Sequence, residues 1–324
     1  MNEPLLGLRG LRLLVTGGTG FVGSAFVRHA VAGGAAVTVL DRENSDHWRL
    51  QPVDGHYARL TASLAELASG EKAPPDGIDA LVHLAAAGVD QSFDDIATLV
   101  ATNVTGTLHA LQGAQRLGVR RFVLVGSSGE YGPGIAIDET DALRPTSEYG
   151  ASRASATLLA RAFGARRGLD VVTVRPFAVY GPFEAAYRLV PYAILGGLRG
   201  EPLRISSGAQ TRDYVHVDDV ADGLARACCV EAAGGGTFNL CSGTETRVLD
   251  AVERLAVLTG GRSAVEAGAR APIAGEMWRT SGAPTRARAV LGWSPRWALD
   301  EGLERTVGWF REVGGSLPAY AQAR

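Results

Sequence analysis

Cysteine is scarce in this chain. Its 324 residues include only Cys228, Cys229 and Cys241. The number is odd and no spacing among them suits a metal, so they read as small core residues in a reducing compartment, and no metal is expected. Long apolar runs are missing as well. No stretch reaches the ~18 apolar residues of a membrane span, and Met1–Gly10 lacks the apolar core of a secretory signal. These absences argue against a membrane partner and for a cytoplasmic location. Basic blocks are lacking too. The formal net charge is −2, and no cluster of cations could follow a phosphate backbone, so no nucleic acid is expected as a partner.

What is present is an ordinary globular composition, 46% hydrophobic and 20% charged, in a chain long enough for one large domain or two intimately joined ones. Leu11–Thr16 is a short apolar run ending in glycines and reads as a buried parallel strand. Phe21–Ala32 is apolar at helical spacing, and Ala36–Leu40 is a second strand ending at Asp41, which completes a βαβ unit. The alternation continues with a strand at Ala80–Leu84, a helix at Asn103–Leu117 and a strand at Arg121–Gly126. A helix at Tyr149–Arg166 and a strand at Val171–Arg175 follow. This order predicts an α/β fold, a doubly wound parallel sheet of Rossmann type. The polar segment Asn44–Gly77 carries little pattern. After Pro176, prolines and glycines recur, which predicts a smaller C-terminal substrate-binding domain. The expected division is a dinucleotide-binding domain over 1–176, joined by a strand and helix at 214–230 that return to it, and a mainly substrate-binding part over 177–324.

Gly17, Gly20 and Gly23 have the spacing GxxGxxG between a strand and a helix. In that setting the first glycine allows a sharp turn, the second a close approach to a pyrophosphate, and the third close helix–sheet packing. Phe21 and Val22 open the helix, whose free N–H groups favour the phosphates. Asp41 follows Gly23 by 18 positions. A carboxylate there binds ribose hydroxyls and repels a 2′-phosphate, which favours NAD over NADP. Arg42, a neighbouring cation, works against that preference.

Further segments carry a resemblance: His83-Leu84-Ala85-Ala86, Asn103-Val104-Thr105-Gly106-Thr107, Ser127-Ser128-Gly129-Glu130-Tyr131-Gly132, Tyr149 with its helix, and Arg212-Asp213-Tyr214-Val215-His216-Val217-Asp218-Asp219. With the glycine turn, and nearly end to end, the chain resembles the extended short-chain dehydrogenase/reductase family in its nucleotide-sugar epimerase and dehydratase branch. The resemblance implies an NAD-binding enzyme whose cofactor also meets Leu84, Ala85, Ala86, Tyr149 and Arg153. It implies a catalytic Ser127, chosen over Ser128 by its distance from the Tyr-Gly pair, and a catalytic Tyr149. The family's lysine, four residues after the tyrosine, is Arg153 here.

The chemistry accounts for these residue types. Oxidising a sugar hydroxyl requires a base for the O–H proton while hydride leaves the carbon. Free tyrosine ionises near pH ~10, so work near neutrality needs about 4 kcal/mol of differential stabilisation. One cation ~4 Å away at an effective dielectric of ~20 supplies an interaction of that size. Residues 149 and 153 share a helix face. Arg153 keeps the charge but exchanges a point charge for a planar fork. Either it takes over the lysine's work on the nicotinamide ribose and Tyr149, or the oxidation chemistry is weakened or altered. Asn103 and His83 read as scaffold.

Dehydratases of this branch carry an acidic pair just after the Ser/Thr. Ser128 and Gly129 stand there, and Glu130 is one step late, so dehydration is disfavoured. A nucleotide diphosphosugar is the implied substrate, contacted by Ser127, Ser128, Tyr149 and Arg212, the last suited to a diphosphate. Other substrate positions depart. Ala178 replaces an asparagine, Ile273-Ala274-Gly275-Glu276 (with Arg270 and Arg279 nearby) replaces an Arg-Pro-Gly-Asp pattern, and Gly55–Leu60 lacks an aspartate expected against adenine. Three readings remain: an NAD-dependent epimerase that passes through a ketone, a ketosugar reductase, and a non-catalytic dinucleotide-binding protein. Relatives commonly form homodimers through two long helices per subunit, here Asn103–Leu117 and Tyr149–Arg166.

Overall fold

The computed structural model describes residues 7–74, 77–88, 95–271 and 277–312, together with Leu317 and Tyr320. The first half alternates as expected: β1 (Arg12–Thr16), α1 (Phe21–Ala32), β2 (Ala36–Asp41), β3 (Ala58–Thr61), α2 (Leu64–Ser69) and β4 (Ala80–His83). Next, α3 (Ile96–Leu99) runs through a π turn (Val100–Thr105) into α4 (Gly106–Leu117). Then come β5 (Arg121–Val125), β6 (Gly134–Ile137), α5 (Glu148–Arg167) and β7 (Asp170–Pro176). The second half contributes β8 (Ala178–Tyr180), α6 (Leu189–Arg199), β9 (Leu203–Ile205), β10 (Thr211–Arg212), β11 (Tyr214–His216), α7 (Val217–Cys229) and β12 (Thr237–Leu240). It closes with β13 (Thr246–Arg247), α8 (Val248–Leu258), β14 (Val265–Ala267), β15 (Thr280–Gly282) and α9 (Leu299–Glu312).

Seven strands form one parallel sheet in the order β12-β7-β5-β4-β1-β2-β3. Successive side chains of a strand point to opposite faces. Leu13 and Val15 of β1 therefore pack with Phe26 of α1 and Leu224 of α7 on one side. Leu14 faces the other side, with Leu67 of α2, Leu111 of α4 and Phe163 of α5. Both faces are covered, which explains why these strands read as continuous apolar runs. A separate core under the C-terminal half joins Ile194 of α6, Leu255 of α8 and Phe310 of α9.

The 214–230 segment behaves differently from the expectation. Its strand, β11, pairs with β8 in a two-stranded sheet of its own. Only its helix, α7, lies back against α1 and the main sheet. The strand that does return is β12, beside β7. At the opposite edge, β3 and α2 occupy the segment with little sequence pattern. The side chains of β3 are mostly exposed, and four residues are too few for their pattern to stand out as a strand. The start of α2 does carry a signal: Ser63 Oγ accepts from Glu66 N at 3.1 Å, and Glu66 Oε2 accepts from Ser63 N at 2.7 Å, a reciprocal cap written as S-x-x-E.

Candidate active site

The chain reverses direction across the sheet between β1 and β4, the crevice where open α/β sheets take their ligands. Gly17 ends β1 there at φ +70°, and a Cβ on it would lie 2.5 Å from Ala85 N in the loop after β4. A Cβ on Gly23 would lie 2.0 Å from Gly17 O, so the turn and α1 close on each other only because both residues are glycine. Gly20 caps α1 without any side-chain hydrogen bond, which leaves the first N–H groups of a twelve-residue helix for an anion.

Above these strand ends opens a cleft of about 610 Å³. Its walls bring together most of the residues singled out from the sequence: Gly17, Gly20, Phe21, Val22, Gly23, Leu84, Ala86, Ser127, Ser128, Tyr149, Arg153 and Arg212. Ala85 sits directly behind Gly17. Asp41 and Arg42 lie outside this cleft, at the C-terminal end of β2 and just beyond it. The 273–276 positions fall outside the described residues.

Tyr149 is the second residue of α5, after a cap in which Ser147 Oγ accepts from Gly150 N at 3.1 Å. Arg153 follows one turn later and is buried. Its Nη2 donates to the Val125 carbonyl at the end of β5, while Nε and Nη1 have no partner. Among the described residues no carboxylate pairs with this guanidinium. A buried cation with two unused donors is costly unless something polar or negative meets it from the cleft.

Asn103 and His83 hold the frame, as the sequence suggested. Asn103 Oδ1 accepts from Ala87 N at 2.8 Å, and its Nδ2 donates to Ala87 O at 3.1 Å and Ser152 Oγ at 2.9 Å. It thereby ties the loop after β4 to α5, and the π turn that carries it sets this reach. His83 contacts Thr16 Oγ1 at 2.7 Å through Nδ1 and Thr107 Oγ1 at 3.1 Å through Nε2. Thr107 already donates to Asn103 O, so its oxygen accepts from Nε2–H, and Thr16 donates to Nδ1. Burial, then the nearby Arg153, push this imidazole down to about 3, so it is neutral.

Ser127 Oγ accepts from Gly129 N at 3.1 Å at the cleft wall. Glu130 turns away from the cleft. Its Oε1 accepts from Ser127 N at 2.9 Å and its Oε2 from Arg175 Nε at 2.8 Å, with no solvent exposure. Gly126 makes room for it, since a Cβ there would lie 2.2 Å from Glu130 Oε1. Arg212, on β10, donates through Nη1 to the carbonyls of Thr211 and Met277 at 2.8 and 2.6 Å.

Asp41 is mostly buried, and His47 Nε2 stands 2.8 Å from its Oδ2. Burial raises this carboxyl above its ordinary value, and His47 works against the rise. Oδ2 is closed off behind the imidazole, and no hydrogen bond among the described residues reaches Oδ1. The glycine cradle, this oxygen and the two free donors of Arg153 therefore suit the phosphates and ribose hydroxyls of a dinucleotide.

Sequence reasoning passed over His47, Arg49, Glu184 and Arg188, although the last three line the same cleft. Glu184 Oε1 lies 3.5 Å from Arg188 Nε, and burial pushes its carboxyl up to about 8. Phe183 before it takes φ +70°, unusual for a bulky residue. Its carbonyl accepts from Arg49 Nε at 2.9 Å, and its ring lies under Arg28 at 4.2 Å. No periodicity reports such a turn.

Comparison with known proteins agrees with this geometry. The model of the "NAD dependent epimerase/dehydratase family" matches residues 13–241. A dTDP-glucose 4,6-dehydratase of Streptomyces niveus is 33% identical over 319 residues, covering 93% of both chains. A UDP-glucose 4-epimerase of Mycolicibacterium smegmatis is 33% identical over 321 residues, covering 93% of this chain and 99% of its own. Among solved structures, a dTDP-glucose 4,6-dehydratase of Streptomyces venezuelae with NAD bound superposes with a TM-score of 0.85 at 33% identity, over 96% of this chain and 100% of that one. A UDP-glucose 4-epimerase of Thermotoga maritima with UDP-glucose gives 0.85 at 29% identity, over 93% and 99%.

Proposed function

The chain belongs to the NAD-dependent epimerase/dehydratase family of enzymes, and on that premise we propose that it is a nucleotide-sugar epimerase that oxidises one sugar hydroxyl transiently to a ketone. The observation that carries this reading is Arg153: a buried guanidinium with Nε and Nη1 unpartnered on the wall of the cleft that Tyr149 and Ser127 also line. Bound NAD would supply the hydride acceptor and donor that this chemistry needs at the sugar carbon.

The chain's own residues do the rest. Gly17, Gly20 and Gly23, with the open first turn of α1, hold the pyrophosphate. Asp41 accepts from the adenosine ribose. Arg153 donates to the nicotinamide ribose and, one turn from Tyr149, stabilises its phenolate. Tyr149 takes the proton of the sugar hydroxyl and returns it to the ketone. Ser127, whose oxygen already accepts from Gly129, offers its hydroxyl hydrogen to the substrate oxygen. Arg212 meets the diphosphate. Glu130 is committed to Arg175, and Ser128 and Gly129 carry no acid, which speaks against dehydration.

The test is to incubate the purified protein with UDP- and dTDP-hexoses. An epimeric product with no net change in NADH supports the reading. Loss of water from the sugar refutes it. If Tyr149→Phe matches wild type on every substrate, the catalytic assignment fails and a binding protein remains. One observation favours a second reading, reduction of a nucleotide ketosugar: His47 beside Asp41 offsets the charge that would repel NADPH. Stoichiometric NADPH consumption with a ketosugar would select it. A homodimer through α4 and α5 is part of the proposal, supported by the exposed Leu158 of α5 (57%) and by Ile96 and Val100 (55% and 48%) on the helical segment that leads into α4. Light scattering tests it.

A further inference from the structure

We propose that His47 determines how strictly this protein excludes a dinucleotide that carries a 2′-phosphate. The inference rests on the reading of Asp41 as the ribose carboxylate.

The geometry is specific. His47 precedes the short 3-10 turn at Trp48–Val53, which packs against α1. The imidazole is held from behind: its Nδ1 lies 3.0 Å from Tyr57 Oη, and the two rings stack at 11°. Its other edge faces Asp41, with Nε2 2.8 Å from Oδ2. Both side chains are largely withdrawn from water, at 18% and 7% exposure, so solvent screens the contact weakly. Behind Tyr57 stands Arg59, 5.5 Å over the ring and paired with Asp54 at 3.0 Å. Arg42 and Asp46 flank the turn.

The contact occupies one carboxylate oxygen only: Oδ2 is closed off behind the imidazole edge, and no hydrogen bond among the described residues reaches Oδ1. These are separate effects on the two cofactors. A ribose 2′-hydroxyl needs one acceptor, and Oδ1 supplies it, so NAD binding is preserved. A 2′-phosphate is rejected by the charge of the carboxylate. With the edge of the imidazole 2.8 Å from Oδ2, that charge is partly offset. Asp41 by itself would make a strict NAD site; Asp41 with His47 makes a permissive one.

Titration calorimetry with NAD and NADP, on the full chain, tests this without a substrate. Wild type should bind NADP within about tenfold of NAD. H47Q keeps the size and polarity but removes the imidazole, and should weaken NADP by about tenfold while NAD changes less than about threefold. Y57F, which releases the ring from behind, should shift the ratio in the same direction by less. D41N is the control and should lower discrimination in either background. An unchanged ratio in H47Q, with D41N still effective, overturns the proposal. If D41N leaves both affinities unchanged, the ribose reading of Asp41 itself has failed.

Discussion

Arg175 Nε donates to Glu130 Oε2 at 2.8 Å, and both side chains are closed off from solvent. Arg175 also donates through Nη1 to Tyr131 Oη at 2.6 Å, and that hydroxyl donates to Asn239 Oδ1 at 2.9 Å. The ion pair thus anchors a polar network that joins the Ser127 turn to β7 and β12. It gives Glu130 a structural role, tying an acid so close to Ser127 into the fold.

Glu130→Gln should therefore behave as a stability variant. It leaves the Arg175 charge buried without its counter-ion, a change that costs about 3–5 kcal/mol. Urea unfolding should move by that amount, and Glu130→Gln combined with Arg175→Met should recover much of the loss. A cost below about 1 kcal/mol for the single variant would contradict the pairing.

Arg153 should show the opposite balance. It is buried with no carboxylate partner, so Arg153→Met removes an uncompensated charge and should leave the melting temperature unchanged or raised. Turnover should fall by at least about a hundredfold, because in the proposed mechanism the phenolate and the cofactor ribose lose their cation. Arg153→Lys should retain part of the activity. Equal rates in wild type and Arg153→Met would remove the cation from the mechanism.

The sequence made some of this site legible and hid the rest. The glycine turn was readable because three glycines at fixed spacing between a strand and a helix answer one steric demand, here the approach of Gly23 to Gly17 O. Tyr149 and Arg153 were readable as neighbours from the helical repeat. That Arg153 takes the place of a lysine is less odd in a chain whose 32 Lys and Arg residues include one lysine, Lys72. His47, Glu184 and Arg188 were not readable, since non-helical turns bring the first two into place. The seventh strand, β12, was missed because it is only four residues long and follows a glycine run. Strand 214–216 was misdirected for a related reason: apolar content indicates burial and says nothing of which sheet a strand joins.

Asn103 should matter through others and not by touching substrate. Asn103→Leu deprives Ala87 N, Ala87 O and Ser152 of their partner, at about 1–3 kcal/mol for groups left buried and unsatisfied. The loop after β4 also lines the cofactor cleft, so NAD affinity should fall. The split is diagnostic: Tyr149→Phe should abolish turnover with NAD affinity nearly intact, whereas Asn103→Leu should lower NAD affinity and stability together. Calorimetry and a melting curve on each variant separate the two.

Glu184 should make stability depend on pH in a defined window. Burial raises its carboxyl from 4.5 to about 8. The native state therefore keeps a proton that the unfolded chain has released, and the stabilisation, complete below 4.5, is lost as pH rises through about 8. Asp219 has the same sign but is pushed only to about 6. His83 and His216 are pushed down to about 3 and about 4, so their contribution is lost as pH falls below their ordinary value of 6.5. Between about pH 6.5 and 8 the fall belongs chiefly to Glu184 and is on the order of 1–2 kcal/mol. Glu184→Gln, which mimics the protonated acid, should flatten the urea-derived stability across that range while leaving its acid side unchanged. A slope in the variant equal to that of wild type would mean that Glu184 is ionised in the native cleft at neutral pH, with Arg188 meeting the full charge.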